Sequence, residues 1–411
     1  MARGKAEQRA AAAHVLHRTS FGPFPGGVGA ALDRHGDADS LLEATIAAAP
    51  VPLVTPANID RPFDVNDKDL DNEELSNRWI ERMCRDDVGL HDKMVWFWHT
   101  HFTSGFTKVA GLFCWRQLRT FHELALGNFG DLTKAITIDG AMLQWLDGSG
   151  SQQNEPNENY GRELLELFTM GRGNYTEADV RAAARGLAGW SVSNERGVER
   201  FDVSSLSDPV TFLGRTEVFD VDSVVDRILE IPATAEFIVA KLARYFVGTV
   251  SNDVVRTWAD QFRSSGYELR PVVETILRSP EFRAARGGRG RSGIEWLCGV
   301  IRCAGLDPHQ SWHIEDFAQI PYKPLNVAGW PDQWLSTSSL YARAAFVFGL
   351  DLQHAPLPTG GEDVDAVLEH CSLYEVSEPT RAALADVARR ADGDRTHLLR
   401  AALISPEFAV A

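Results

Sequence analysis

Along most of the chain apolar residues recur three and four positions apart, the spacing that gathers them on one face of a helix. This period predicts helices over residues 6–18, 28–32, 40–48 and 73–85, then from His91 into an aromatic run ending at Phe106. Further helices are expected over 109–126, 132–146, 221–229, 233–247, 294–304 and 336–352. Val51 to Asp71, rich in proline and aspartate, reads as an irregular surface segment. From Ser191 to Phe219 the helical period lapses, and Val192, Phe201, Val203, Phe212 and Leu213 stand among turn residues, so a hairpin or irregular excursion is expected. The pattern predicts an all-α fold with a small irregular or β excursion near 191–219. A loose division falls near Val221, between residues 1–220 and 221–411, the two halves reading as one compact unit.

The stretch Pro156–Trp190, PNENYGRELLELFTMGRGNYTEADVRAAARGLAGW, carries the clearest local signals. Asn157 is an N-cap residue type, and Leu164, Leu167 and Phe168 supply an apolar stripe. Glu158, Arg162 and Glu166 fall at i, i+4 and i+8, which on an α-helix stacks them as a carboxylate–guanidinium–carboxylate ladder. Gly171 and Gly173 end this helix, and Thr176 with Asp179 three residues on starts the next.

Ser251–Phe282 aligns without gaps on Ser377–Phe408, and both copies end in Ser-Pro-Glu-Phe. This reads as an internal repeat of a helical hairpin, with serine as N-cap and proline at the first helical position. Arg283–Gly293, RAARGGRGRSG, is a basic glycine-rich run that could receive a phosphate or carboxylate, and otherwise reads as a mobile connector.

A formal charge of −16 argues against binding along a phosphate backbone, so no nucleic-acid partner is expected. Cys84, Cys114, Cys298, Cys303 and Cys371 are odd in number and widely spaced, which points to buried reduced thiols and away from a disulfide framework. No apolar run is long enough for a membrane span and no signal peptide is read, so a cytoplasmic location is expected. There is no phosphate-loop Gly-Lys-Ser/Thr, no dinucleotide-binding Gly-x-Gly-x-x-Gly after a strand and no nucleophile elbow, and the Glu-x-x-His pair of ferritin-like di-iron sites is missing.

Four blocks resemble the bacterial family known as domain of unknown function 1800 (DUF1800). They are His14–Arg18 through Phe21-Gly22-Pro23; Lys93-Met94 with Trp98–Phe102; Asn157–Trp190; and Gly329-Trp330-Pro331 with Trp334 and Arg343. The resemblance implies no reaction, since the family's chemistry is unassigned. It implies a partner, because many relatives lie beside genes for a second uncharacterised family that resembles sulfatases and phosphatases. Many relatives also resemble exported proteins. Where relatives carry a histidine and a lysine ahead of Phe-Leu-Gly, this chain has Ser207–Thr211 before Phe212-Leu213-Gly214, so no role of those residues carries over.

Candidate chemistry gathers in two places. His99 and His101, beside Trp96, Phe97, Trp98 and Phe102, are metal-ligand types that could share a divalent ion with Glu158, Glu163 or Glu166; the alternative is two histidines hydrogen-bonded within an aromatic core. On the Asn157–Glu166 helix, Arg162 is the fork donor for an anion and Glu158, Glu163 and Glu166 the proton carriers, against the alternative of a packing network of salt bridges. Asn157, Trp98, Trp330 and Arg343 complete the candidate binding set. His309 and His313, at i and i+4, form a further pair that could meet a metal or simply pack. The expected function is an enzyme of unassigned reaction class, acting on a small anionic molecule in a helical pocket and assisted by a metal. The alternative is a non-catalytic helical partner or carrier.

Overall fold

A computed structural model describes residues 2–54, 72–152, 155–193, 197–201, 208–308, 335–357, 363–390 and 394–411. The predicted elements at 55–71, the His309/His313 pair and the Gly329–Trp334 block, Trp330 included, lie outside the described residues. Among the described residues the architecture is all-α, with two small antiparallel hairpins as its strands. Both hairpins fall in the predicted excursion: Trp190–Ser193 pairs with Gly197–Arg200, and Val210–Phe212 with Arg215–Glu217. The second is closed by Leu213 and Gly214, both at positive φ (46° and 79°), the backbone that lets a two-residue turn follow the strand twist. Leu213 holds this strained position because its N–H donates to Asp179 and its carbonyl accepts from Arg227.

Buried apolar residues from Ala12 to Phe408 form one continuous core. At its centre lies the helix Gly293–Ala304, every residue of which is buried. Ser292 caps it, accepting from the Glu295 N–H while the Glu295 side chain accepts from the Ser292 N–H. The aromatic helix Leu90–His101 is nearly as enclosed, with Trp96, Phe97 and Trp98 at most 1 % exposed. All five cysteines are buried and unbridged. No helix among the described residues is long and apolar enough to cross a membrane.

Several expectations need correction. The helix expected over 132–146 is two, Phe129–Thr137 and Gly140–Trp145. Asp139 divides them, because its carboxylate accepts from the Ala141 and Met142 N–H groups and so starts a new helix. The basic run Arg283–Gly293 is not a mobile connector: Arg289, Arg291 and Ser292 are each 3 % exposed. Its backbone is pinned by Arg291 N–H to Ala409 O and by Ala411 N–H to Arg289 O, both 2.8 Å. At the two Ser-Pro-Glu-Phe sites the serines make matching bonds. Ser279 donates to Ile276 O and accepts from Phe282 N–H, while Ser405 donates to Ala402 O and accepts from Phe408 N–H.

The helices Glu158–Glu163 and Glu177–Leu187 cross at Gly161, where a Cβ would stand 2.8 Å from Val180 O and 2.9 Å from Ala184 N. Those neighbours are backbone and cannot swing aside. Gly161→Ala is therefore expected to destabilise the protein by roughly 1–3 kcal/mol, the usual cost of overpacking. Urea unfolding checks this, and an unchanged midpoint would contradict the close crossing.

Candidate functional site

Asn157 begins the motif helix as its sequence predicts. Its side-chain oxygen accepts from Tyr160 N–H (3.2 Å), and its amide donates to Leu146 O and Asp147 O (2.7 and 2.6 Å). These bonds make Asn157 a cap that also ties down the preceding turn. After six residues the helix changes pitch: Leu164–Thr169 is a π-helical turn. Met170 N–H reaches back five residues to Leu165 O (2.9 Å), and the Thr169 hydroxyl donates to Leu164 O (2.6 Å).

That change of pitch dismantles the expected ladder. Arg162 does not bridge Glu158 and Glu166; it forks onto Glu177 of the next helix at 2.7 and 2.6 Å. Glu166, carried round by the wider turn, accepts from Arg172 and from the Tyr175 hydroxyl (2.9 Å). Burial raises the Glu166 carboxyl, but these two bonds overcome it and leave the group below its ordinary value. Glu158 is exposed. Glu163 is different. It is half-buried, has no hydrogen-bond partner among the described residues, and is raised above the ordinary carboxyl range by burial and then by Glu166.

The two candidate metal ligands do not converge. Residues two apart on an α-helix point to opposite sides. His99 packs among Trp79, Trp96 and Phe121, at ring distances of 4.8, 5.4 and 6.4 Å. Burial pushes it down to about 3, so it is neutral. His101 faces Trp98, Phe102 and Phe168 instead. Both of its nitrogens are engaged, Nε2 with Phe168 O (2.9 Å) and Nδ1 with the Lys241 amine (3.1 Å), which leaves no lone pair for an ion. No group of three or more His, Cys, Asp or Glu side chains among the described residues is placed to hold a metal.

The other proposed binding residues are scattered. Trp98 is in the core, its indole N–H donating to Ala125 O (2.9 Å). Arg343 is buried far from the motif helix, bonded to Arg291 O (3.0 Å) and stacked over Trp296. Between the histidine wall and the motif helix, His101 and Phe168 are in direct contact.

What the structure brings together at the π-turn is a residue that sequence reasoning passed over. Lys241, on the helix Pro232–Phe246, donates to His101 Nδ1 and to Leu167 O (2.8 Å). Leu167 lies in the last turn of the π-helix, where carbonyls lack a helical partner, and Leu167 itself is exposed. Burial pushes the Lys241 amine down to about 7, although the Phe237 ring 4.5 Å away favours the ammonium. His101 is held neutral by burial and then by Lys241. Its bond to a carbonyl fixes the proton on Nε2, so Nδ1 is the acceptor. A neutral Lys241 amine therefore spends both hydrogens on His101 and Leu167, and its lone pair points along the direction left over. A half-buried amine poised near neutrality is the raw material of a general base or nucleophile. Nothing local in the sequence marks it: it is one lysine in an amphipathic helix.

Residues 14–410 match the model of a family described as protein of unknown function, DUF1800. No curated protein and no solved structure matches the chain.

Since the Lys241 amine sits below its ordinary value of about 10.4, the unfolded chain binds more protons than the folded one between about pH 7 and pH 10. Stability conferred through this group therefore rises with pH across that window. Lys241→Met is expected to abolish that rise, as read from urea midpoints at about pH 7 and about pH 9.5. An identical pH response in the two proteins would show an ordinary lysine.

Proposed function

The chain belongs to the DUF1800 family, and from that premise we propose that it is an enzyme acting on a small anionic molecule by acid–base chemistry at the π-turn, with Lys241 as the base or nucleophile. The observation that carries this reading is the Lys241 amine, desolvated and oriented by His101 Nδ1 and Leu167 O. His101 positions the amine, and as the ammonium Lys241 attracts the negative charge of the substrate. Glu163, on the motif helix just before the π-turn and raised by burial, supplies the complementary carboxylic acid in this reading. Two groups displaced towards neutrality from opposite ends of the scale are the pattern that assigns an acid and a base. Arg162 takes no part in anion binding in this reading, since Glu177 occupies its fork. No metal is needed for the step.

A second reading, a non-catalytic helical partner, is favoured by the helix Thr337–Gly349. Its Leu340, Tyr341 and Phe348 are 42, 76 and 63 % exposed. Exposed apolar residues clustered on one element mark partner surfaces.

A panel of small carboxylates, phosphate esters and carbonyl compounds separates the two. Wild type is expected to turn over at least one class, with Lys241→Arg and Glu163→Gln each reducing the rate roughly 10²–10⁴-fold at unchanged fold, the usual worth of a proton-transferring side chain. Full activity in a folded Lys241→Arg protein would refute the assignment. No turnover, with a stoichiometric protein partner lost on Tyr341→Ser and Phe348→Ser, would establish the second reading.

A further inference from the structure

The central helix Gly293–Ala304 carries two cysteines, and each meets a second cysteine from a distant part of the chain. The Cys298 thiol is hydrogen-bonded to that of Cys84, which follows the helix Asn72–Met83. The Cys303 thiol is hydrogen-bonded to that of Cys371, which follows the helix Val364–His370. All four residues are at most 7 % exposed. Cys298 and Cys303 are five positions apart, so they leave the helix on different sides and a thiol pair flanks it on each.

Bonds from neighbouring side chains hold both contacts in place. Arg302 stands one turn beyond Cys298, on the same face of the helix. Its guanidinium donates to the carbonyls of Met83 (2.8 Å), Cys84 (3.3 Å) and Arg85 (3.0 Å). One side chain thus grips the three residues centred on Cys84. At the other pair, His370 Nε2 donates to Cys303 O (2.7 Å), and the Cys303 thiol lies 3.8 Å from His370 O. The wide spacing that argues against a disulfide framework in the sequence is closed by the fold. Cys114 stands apart, bonded to the Ser104 hydroxyl.

The first pair is also unequal in its chemistry. Burial raises the Cys298 thiol, but the bond with Cys84 and the charges of Arg302 and Lys93 outweigh burial and leave it below its ordinary value. Cys84 is raised, by that same bond and then by burial. One sulfur is disposed to attack, and the other keeps its proton until the second step.

We propose that Cys84–Cys298 and Cys303–Cys371 are disulfide-forming sites, which staple the central helix on both sides when the chain meets a small-molecule disulfide such as glutathione disulfide. In the first step the Cys298 thiolate attacks that disulfide, forms a mixed disulfide and releases one small thiolate. The Cys84 sulfur then gives up its proton, attacks the mixed disulfide at Cys298 and releases the second. Two protein thiols are oxidised per bridge, one small disulfide is reduced to two thiols, and the two protein protons end on the released sulfurs. The Cys303–Cys371 bridge forms with the same balance. Because all four thiols are buried, exchange takes place while the chain folds or when the core opens. Such bridges persist in an oxidising compartment and stay open in a reducing one. The inference is independent of the reading given for Lys241.

The full chain, unfolded and reduced, is refolded in parallel with a glutathione redox buffer and with excess reductant. Remaining thiols are then alkylated in denaturant, and the bridges are located by peptide mass mapping. Oxidative refolding is expected to give Cys84–Cys298 and Cys303–Cys371 with Cys114 alkylated, and an unfolding temperature roughly 5 °C above that of the reduced protein. Cys84→Ser is expected to lose the first bridge and keep the second, and Cys371→Ser the reverse; if neither variant folds, the wild-type map decides. Should the chain not refold, the folded protein held with glutathione disulfide in urea below its midpoint gives the same map. The proposal is overturned if a natively folded, oxidised sample still has these four thiols alkylated, if Cys114 or another pairing accounts for the bridges, or if the bridged protein melts below the reduced one. One bridge without the other refutes the site that stays open.

Discussion

One carboxylate sets the terms for the interior. Glu295 caps the helix Gly293–Ala304 and simultaneously accepts from Lys93 and Arg289. A fully buried helix has no water at its N-terminus to satisfy the exposed N–H groups, so Ser292 and Glu295 must do so themselves. Lys93, in turn, is held in the core through Glu295, the carbonyls of Ser20 and His17, and the rings of Phe21 and Tyr245. The turn after the first helix, the aromatic helix and the central helix are thereby locked at a single point. Removing Glu295 would strand several positive charges in a medium that cannot solvate them, and most of the molecule's organisation is downstream of that constraint.

The conspicuous blocks of the sequence divide between two ends of this arrangement. Arg18, Lys93 and Arg343, from three distant blocks, meet around Glu295, where their work is to build the core. The Asn157–Trp190 block lies elsewhere and carries the irregularity. Its helix begins with an ordinary asparagine cap, then changes to π pitch at Leu164. That change presents the Leu167 carbonyl to Lys241 and the Phe168 carbonyl to His101. A regular α-helix would have turned both differently, so the widened turn and the perturbed lysine are one feature.

Legibility in the sequence followed the range of the interaction. Asn157, Thr176 with Asp179, and Ser279 were readable as caps because a cap is decided within three or four residues, and each makes its bond. The β excursion was readable because the helical period lapses there, with Val192, Phe212 and Leu213 standing among turn residues. The Glu158–Arg162–Glu166 ladder was not, since it assumed α pitch through a segment that abandons it. The histidine pair failed for a related reason: ligand type was visible, but the opposite orientation of i and i+2 on a helix outweighs it. Arg289 and Arg291 looked like solvent-exposed charges in a glycine-rich loop. Only tertiary structure shows that the glycines let the backbone pass through the interior with its arginines in tow.

The five sealed cysteines give the fold a built-in reporter. A hydrogen bond with a neighbouring thiol and then burial raise the thiols of Cys84 and Cys371, and burial raises that of Cys114. Thiolate is the reactive form, so each of these three is protected twice, by protonation and by exclusion of reagent. A thiol-directed label can reach them only when the surrounding structure opens. Cys298 and Cys303 sit on the central helix itself. Their labelling rate therefore measures how often the deepest element of the protein becomes exposed, and sets an opening free energy on the innermost layer without any knowledge of what the protein does.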